Sequence, residues 1–413
     1  CISNCAFIIT YEIRLELKLD KGNRYMVSIK KSYGREIMRI FKGWATTALV
    51  CVGGSGAFAG GMEVTRLPTD MMFEKGNYAS FAFGKFKPDV TDNVFATTGS
   101  MYNDRTAVTL TAKTQINDKI SIGLAKYRSA EISLDYADSA IGALQVVTVD
   151  LSVDTLALLA RYELAERVSI IGGLRYSTGS GGGNVLVAPA GTIQAQDDSV
   201  LGGIVGVSFE KPEIALRISG TYQAKQDMAH PTTTNLGAGP IDLENTKSAL
   251  PESFTIDFQS GIAPNTLLFG SIHRAFWSDA HISFWTQQNT GGLDGLGALT
   301  NPPNGEYVQK STWTNTTSLS LGIGRKLSDQ WAVSASLIYE GASEATGTSL
   351  LSTTDGVRGI TLGGKYTSEG GTTISVGINR SKLGDKAVTA NGATGTFTNN
   401  SVTSIGFKIG HNF

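Results

Sequence analysis

Apolar and polar residues alternate along most of the chain after residue 76, in stretches of about ten residues separated by breaks. Between positions 331 and 339 the odd-numbered residues are apolar, whereas serines stand at 334 and 336. Because successive side chains of a β-strand point to opposite faces, this period of two predicts strands with one apolar face. The polar positions hold small, uncharged residues more often than charged ones, which favours a crowded interior on that side.

Fourteen such stretches occur, and the connections between them alternate in length. The predicted strands cover 77–86, 105–116, 119–128, 151–163, 167–178, 199–210, 213–224, 253–262, 266–277, 312–326, 329–341, 356–368, 371–382 and 401–412. Turns of two or three residues alternate with long loops without exception. This alternation is typical of outer-membrane barrels and is not expected of a soluble β-sandwich. We therefore predict an all-β fold, a transmembrane antiparallel β-barrel of fourteen strands with short periplasmic turns and long extracellular loops.

Aromatic residues agree with this prediction, because they gather near both ends of the predicted strands like the interfacial girdles of such barrels. The last strand ends at Phe413, and a terminal Phe on an alternating strand resembles the signal that the bacterial barrel-assembly machinery reads. Strands 1 and 14 are expected to pair, because the backbone N–H and C=O groups of an open sheet edge would find no hydrogen-bond partner in lipid. The barrel is expected to be a monomer in the outer membrane of a Gram-negative bacterium, in contact with membrane lipid and lipopolysaccharide.

The N-terminal region lacks the alternating pattern. From Met38 a basic segment, a short apolar segment and an A-x-A site ending at Ala59 predict a signal peptide over 38–59. Residues 1–37 are expected to be an upstream extension, non-native or unstructured, residues 60–76 a short hatch-like segment and residues 77–413 the barrel. A formal net charge of −1 gives no reason to expect a nucleic-acid partner.

Charged residues with lumen-facing parity are the candidates for ligand binding. They are Lys113, Arg161, Arg175, Arg217 and Arg274, with Ile272 and Phe276 sharing the face of Arg274. Arginine can hold a carboxylate through two parallel hydrogen bonds, and apolar neighbours suit an amphipathic acid. The alternative is that these side chains only form a solvated, cross-paired wall of the lumen.

The long loops carry apolar residues where a general porin has an acidic constriction loop. Ile282, Phe284 and Trp285 in the loop 278–311 are candidates for external capture of a ligand, because exposed apolar groups often mark binding surfaces. The other interpretation is that the loops pack against each other as a lid over the barrel mouth.

Enzymatic chemistry is not indicated. The four histidines are scattered, and parity places His273 on the lipid face. Nucleotide-binding and zinc-binding motifs are absent from the sequence. We expect no catalysis, no cofactor and no metal site.

The segment from Leu250 to Asp279 reads LPESFTIDFQSGIAPNTLLFGSIHRAFWSD. It resembles the strand–turn–strand unit of the outer-membrane long-chain fatty-acid transporter family, which also includes carriers of aromatic hydrocarbons such as toluene and xylene. The resemblance implies passive transport of a hydrophobic ligand, captured outside, held inside the barrel and released sideways into the membrane at a kink in the third strand. It also implies an N-terminal hatch that plugs the periplasmic side.

Two departures from the family bear on this expectation. The hatch signature Asn-Pro-Ala is absent, and we assign Met71, Met72 and Phe73 to the segment that closes the lumen; a simple lead-in to strand 1 is the alternative. In the third strand parity falters at Lys126 and Tyr127, which fits either a bulge or a strand end. Long-chain fatty acids or related hydrophobic compounds are the expected cargo. A surface-binding or adhesion barrel, a small-solute porin and a lipid-modifying enzyme are the alternatives.

Overall fold

The computed structural model describes residues 15–19, 25–29, 61–185, 191–235, 239–286, 305–342, 346–390 and 392–413. Two short strands, Leu15–Leu19 and Tyr25–Ile29, pair antiparallel, and the upstream extension over residues 1–37 stays a prediction. The signal peptide expected over 38–59 lies outside the described residues, and that prediction stays untested.

Fourteen strands of the described residues form one closed antiparallel sheet, and we number them β1 to β14. They are Tyr78–Asp89, Arg105–Gln115, Ile120–Asp135, Thr148–Ala165, Val168–Val185, Gly191–Lys211, Leu216–Gln223, Ser253–Ala263, Thr266–Ala275, Thr316–Lys326, Trp331–Glu340, Val357–Thr367, Thr372–Leu383 and Ser401–Asn412. Each strand pairs with the next one, and β14 closes the barrel by pairing with β1 from Ser401↔Asp89 to Asn412↔Tyr78. The predicted fourteen-stranded barrel is confirmed.

The two faces of the strands differ as the alternation predicts. On β10, Leu319, Leu321 and Ile323 point outward and are 41%, 52% and 47% exposed, whereas Ser318 and Gly322 point inward and are buried. Repeated around the barrel, the outward residues form an apolar belt that only a membrane can cover. On β10 most inward residues are small, which leaves room inside the barrel for other segments of the chain.

Tight turns join the strands at one end of the barrel. The backbone takes positive φ at Arg167, Ala215 and Asn265, in the turns that follow β4, β6 and β8. In the turn after β12 the same role falls to Gly371, with φ 81°. A glycine is favoured there, because a side chain meets steric resistance in the left-handed region.

The opposite end carries the long connections, which are more structured than expected. A hairpin of Gln226–Asn235 and Pro240–Leu250 continues the wall above β7 and β8, and a hairpin of Ser283–Thr286 and Glu306–Gln309 follows β9. Three further strands, Thr346–Gly347, Lys386–Ala390 and Ala393–Phe397, form a small separate sheet. Their apolar side chains merge into one buried cluster over the barrel mouth, which we call the lid.

Helical structure in the described residues is confined to short turns. They are 3-10 turns at Thr69–Phe73, Gly142–Val146, Pro212–Ile214 and Trp277–Asp279. Within this part of the chain no helix is long and apolar enough to cross a membrane.

The third strand contains a bulge. Arg128 pairs with Asp154 and Ala130 pairs with Val153, which leaves Ser129 as an extra residue without a ladder partner on β4. Both Ser129 and Ala130 are buried, so inward parity changes from odd to even at this point. The faltering parity seen in the sequence near Tyr127 therefore corresponds to a bulge two residues farther along, and β3 continues to Asp135.

Candidate functional site

The N-terminal segment of residues 61–76 lies inside the barrel. Met71 and Met72 are fully buried and pack with Leu159, Ile171 and other inward apolar residues of β3 to β6. Space for them exists because position 123 is a glycine: a Cβ there would stand 2.4 Å from Met72 Sδ and 2.8 Å from Met71 Cε. Phe73 is also buried. The three residues assigned to the hatch thus lie inside the barrel and occupy part of its interior.

Charged contacts anchor this segment to the wall. Lys408 Nζ of β14 donates to Asp70 Oδ2 at 2.8 Å. Lys113 Nζ of β2 donates to the carbonyls of Glu74 and Gly76 at 2.6 and 3.0 Å. The pKa of Asp70 lies below its usual value, because attraction to Lys408 outweighs the opposing effect of burial.

A cavity of about 300 Å³ lies between the segment and the wall. Apolar surface comes from Leu67, Phe73, Phe86, Phe269 and Ile338, and small hydroxyl residues cover much of the remaining wall. Its charged lining comprises three cations and two carboxylates, namely Arg66, Arg217, Lys408, Asp70 and Asp257. The arrangement combines apolar surface with a small positive excess, which suits an apolar ligand with an anionic end.

Arg217 is a cation of this cavity with no direct protein partner among the described residues, although the carboxylates of Asp70, Glu210 and Asp257 attract it at longer range. Its guanidinium lies 4.3 Å from the centre of the Phe73 ring, and the residue is 7% exposed. Among the described residues no protein group forms a hydrogen bond or ion pair with it, and Nη1 is buried without a partner. A buried guanidinium nitrogen is costly to leave unpaired, so this position favours an acceptor from a bound ligand.

The other predicted lumen cations face inward but are held by protein groups. Arg161 forms an ion pair with Glu210 and lies 5.1 Å from the Phe73 ring. Arg175 donates to the Ala224 carbonyl at 2.6 Å. Together with Lys113, these side chains hold neighbouring strands and the N-terminal segment in place.

The placement of Arg274 in the lumen is wrong. Ile272 is 41% exposed on the outer face of β9, and Arg274 and Phe276 share that parity, with Arg274 donating to the outward Thr317 at 2.7 Å. The error arises because Leu267, Leu268 and Phe269 are apolar on both faces, so alternation does not identify the inner side.

His273 is correspondingly inside and not on the lipid face. It is 1% exposed, with Nδ1 2.8 Å from Thr255 Oγ1 and Nε2 3.4 Å from Glu63 Oε1. Glu63 also pairs with Arg66 at 3.3 Å. The pKa of Glu63 is lowered to about 2, because attraction to His273 and Arg66 outweighs desolvation. The sequence analysis did not predict this cluster. The only sign of it in the sequence is that charged residues stand on both sides of a short apolar segment.

The barrel wall has a gap between β2 and β3. On the tight-turn side of the bulge their last ladder pair is Thr109↔Tyr127, and on the other side the next ladder contact is the bridge Tyr102↔Leu134. Between them the strand edges at 104–108 and 128–132 do not pair with each other. We call this opening the window.

The N-terminal segment covers the window. Val64 N donates to Ser129 O at 2.9 Å and Glu131 N donates to Met62 O at 2.8 Å, so the segment takes the ladder position that β2 leaves vacant. Arg105 Nη1 of β2 reaches across to the Glu131 carbonyl at 2.6 Å.

Solved structures with the same architecture exist. A Pseudomonas aeruginosa FadL homologue superposes with a TM-score of 0.66 at 13% identity, covering 91% of this chain and 98% of that one. For the Pseudomonas putida toluene transporter TodX the values are 0.60, 14%, 87% and 94%, and for the Ralstonia pickettii toluene transporter TbuX 0.56, 13%, 87% and 98%. This chain has the FadL-type barrel fold. No family model and no curated protein sequence matches it.

On this FadL-type barrel the external candidates belong mainly to the lid. Ile282 is 1% exposed inside the lid and is therefore not an accessible capture residue, contrary to expectation. Phe284 packs against the same cluster, and Trp285 makes an edge contact with Tyr307 at 5.3 Å. Leu144 is fully buried as well. Loop packing, the second of the two interpretations, accounts for these apolar residues.

In the residues that the structure describes, no group of three or more His, Cys, Asp or Glu side chains could hold a metal ion.

Proposed function

We propose that this chain is a passive outer-membrane transporter of hydrophobic compounds, with long-chain fatty acids as its cargo. The window in the wall at β3, where residues 62–64 take the place of β2 and Arg105 reaches across to Glu131, carries the proposal. Structures sharing the fold include two described as toluene transporters, which supports a hydrophobic cargo. No catalysis and no cofactor are part of the proposal.

The route starts at the lid and leads to the cavity beside the hatch. There an acyl chain packs on Phe73, Phe86 and Ile338, and its carboxylate binds Arg217 through the unpartnered nitrogen. Met71 and Met72 stop the ligand from continuing to the periplasmic side. The ligand then leaves through the window once residues 62–64 separate from β3.

A general diffusion porin fits the structure less well. The lid covers the barrel mouth with buried apolar residues such as Leu134, Leu144 and Leu350, and the hatch fills the lumen below. Ions and small hydrophilic solutes would meet two closures, whereas a hydrophobic ligand gains from contact with both.

Uptake of labelled oleate by bacteria that lack their own fatty-acid carrier tests the proposal. Expression of residues 38–413 should restore uptake. Deletion of Ser129 removes the bulge, lets β3 continue its ladder with β2 and should abolish uptake. Ser129→Ala keeps the bulge and serves as the matched control, which should transport normally.

Folding of both variants is checked by heat-modifiable migration in gels. Uptake by the Ser129 deletion at the level of Ser129→Ala would exclude the window as the exit. Absence of uptake by the unaltered chain in a folded state would exclude fatty acids as cargo, and labelled toluene would then be tested.

A further inference from the structure

Five cations lie together on the outer surface of the barrel, next to the extracellular border of its apolar belt. They are Lys85, Lys87, Arg358, Arg380 and Lys382, all exposed, and we call them the basic patch. The patch extends over β12, β13, β14 and β1, which are consecutive neighbours in the closed sheet.

Strand register brings the members of the basic patch close to each other. Arg358 stands directly opposite Lys382. Arg380 and Lys87 both stand opposite Thr403, on the two sides of β14. Neighbouring strands are about 4.8 Å apart, so the backbones of Arg380 and Lys87 are separated by about 10 Å. One multivalent anion can therefore contact several members.

The basic patch begins where the lipid-facing residues end. Ile360, Ile378 and Ile405, the next outward residues toward the periplasm on β12, β13 and β14, are 48%, 51% and 58% exposed. Such apolar side chains belong in the hydrocarbon layer, whereas Lys and Arg belong at the level of the headgroups. The patch thus faces the headgroup region of the outer leaflet.

The positive charge of the basic patch is only partly balanced by protein groups. Lys85 Nζ is 3.2 Å from Asp104 Oδ2, with both side chains about half exposed, and Asp89 is a second exposed carboxylate at the end of β1. In the part of the chain that the structure describes, Lys87 and Lys382 have no ion-pair partner.

Two strands elsewhere in the barrel carry aromatic residues where the basic patch carries cations. At the extracellular ends of β7 and β8 the outward residues include Tyr222 and Phe254, and Tyr222 donates to Glu252 at 2.9 Å. Aromatic residues there are the ordinary interfacial girdle. On these two strands the described residues do not repeat the basic patch.

We propose that the basic patch binds the phosphate groups of one lipopolysaccharide molecule of the outer leaflet. Arg358 and Arg380 can each hold a phosphate through paired hydrogen bonds, and the lysines add point charges. Acyl chains of the same molecule pack on Ile360, Ile378 and Ile405 directly below. This surface is separate from the lumen, so the assignment does not rest on the proposed transport function.

The test compares two double variants of the chain, each purified from outer membranes in a nonionic detergent. Arg380→Gln with Lys382→Gln removes two charges from the basic patch. Lys126→Gln with Arg274→Gln removes two outward charges elsewhere and is the matched control. Mass spectrometry of lipid A then measures the lipopolysaccharide retained per barrel, and heat-modifiable migration shows that each variant is folded.

The unaltered chain and the control should retain lipopolysaccharide, and the patch variant should retain about tenfold less. Added diphosphorylated lipid A should raise the unfolding temperature of the unaltered chain, whereas lipid A without phosphates should not. Equal retention by both variants would overturn the assignment. An equal rise with phosphatidylglycerol would also overturn it, because the patch would then accept any anionic headgroup.

Discussion

The guanidinium of Arg217 lies 4.3 Å from the centre of the Phe73 ring, and that of Arg161 lies 5.1 Å from the same ring. Phe73 belongs to the N-terminal segment and both arginines to the wall, so these contacts join that segment to the candidate ligand site. Cation–π contacts of this kind contribute more when they are shielded from water. A ligand at Arg217 would therefore alter the environment of the hatch directly.

Arg217→Gln should reduce oleate uptake about tenfold, because the ligand carboxylate loses a charged hydrogen-bond donor. Toluene has no carboxylate, and any toluene uptake should remain within about twofold of normal. Arg274→Gln, an equal charge change on the outer face, is the control and should leave oleate uptake unchanged. Normal oleate uptake by a folded Arg217→Gln barrel would remove Arg217 from the ligand site.

Met71→Ala combined with Met72→Ala should open a leak through the lumen. Each truncation removes buried contacts worth about 2–5 kcal/mol, so the hatch packs less tightly on β3 to β6. Ion conductance in planar bilayers is expected to rise above that of the unaltered chain. Met228→Ala, a truncation of a buried methionine in the lid, controls for a general loss of packing.

An unchanged conductance in the double methionine variant would mean that Met71 and Met72 pack inside the barrel without closing it. The simple lead-in to β1, which the sequence left open, would then be the better description of this segment.

The extent to which the sequence predicted this structure depends on how strictly the faces alternate. On β10 apolar and small residues alternate without interruption, and the strand lies where the pattern indicated. On β9 apolar residues occupy both faces, because the cavity and the hatch also need apolar surface. The sequence analysis therefore placed Arg274 in the lumen and His273 on the lipid face, whereas the structure has them the other way round.

Long-range contacts were beyond the reach of the sequence. Glu63 meets His273 across more than two hundred positions, and no local pattern encodes such a pair. The bulge at Ser129 left a trace in the parity, but its partner, the segment from Met62 to Val64, could be found only from the backbone hydrogen bonds.

Acidification should release the N-terminal segment from the wall. The pKa of Glu63 is lowered to about 2 from its ordinary 4.5, and that of Asp70 is also lowered. A lowered pKa means that the attached state binds fewer protons than the released one. Attachment is thus fully stabilised above about pH 4.5 and weakens as pH falls toward 2.

A fluorescent label on Thr65→Cys, with the three native cysteines replaced by serine, measures this release through collisional quenching. Quenching should rise between about pH 4.5 and pH 2. Glu63→Gln together with Asp70→Asn should flatten the transition, since neither amide titrates. A transition of equal size in that double variant would assign the pH response to other groups.

Arg105→Ala should make the window easier to open. The side chain is 3% exposed and links β2 to the Glu131 carbonyl of β3 where the ladder is interrupted. Removing this side chain costs about 1–3 kcal/mol of barrel stability. The substitution also removes a hydrogen bond that holds the window edges together. The initial rate of oleate uptake should therefore increase. Arg325→Ala, which removes a similar hydrogen bond to the Pro264 carbonyl at a turn, should lower stability without raising uptake. If both variants lowered uptake equally, Arg105 would serve only to stabilise the barrel, and opening of the window would depend on residues 62–64 alone.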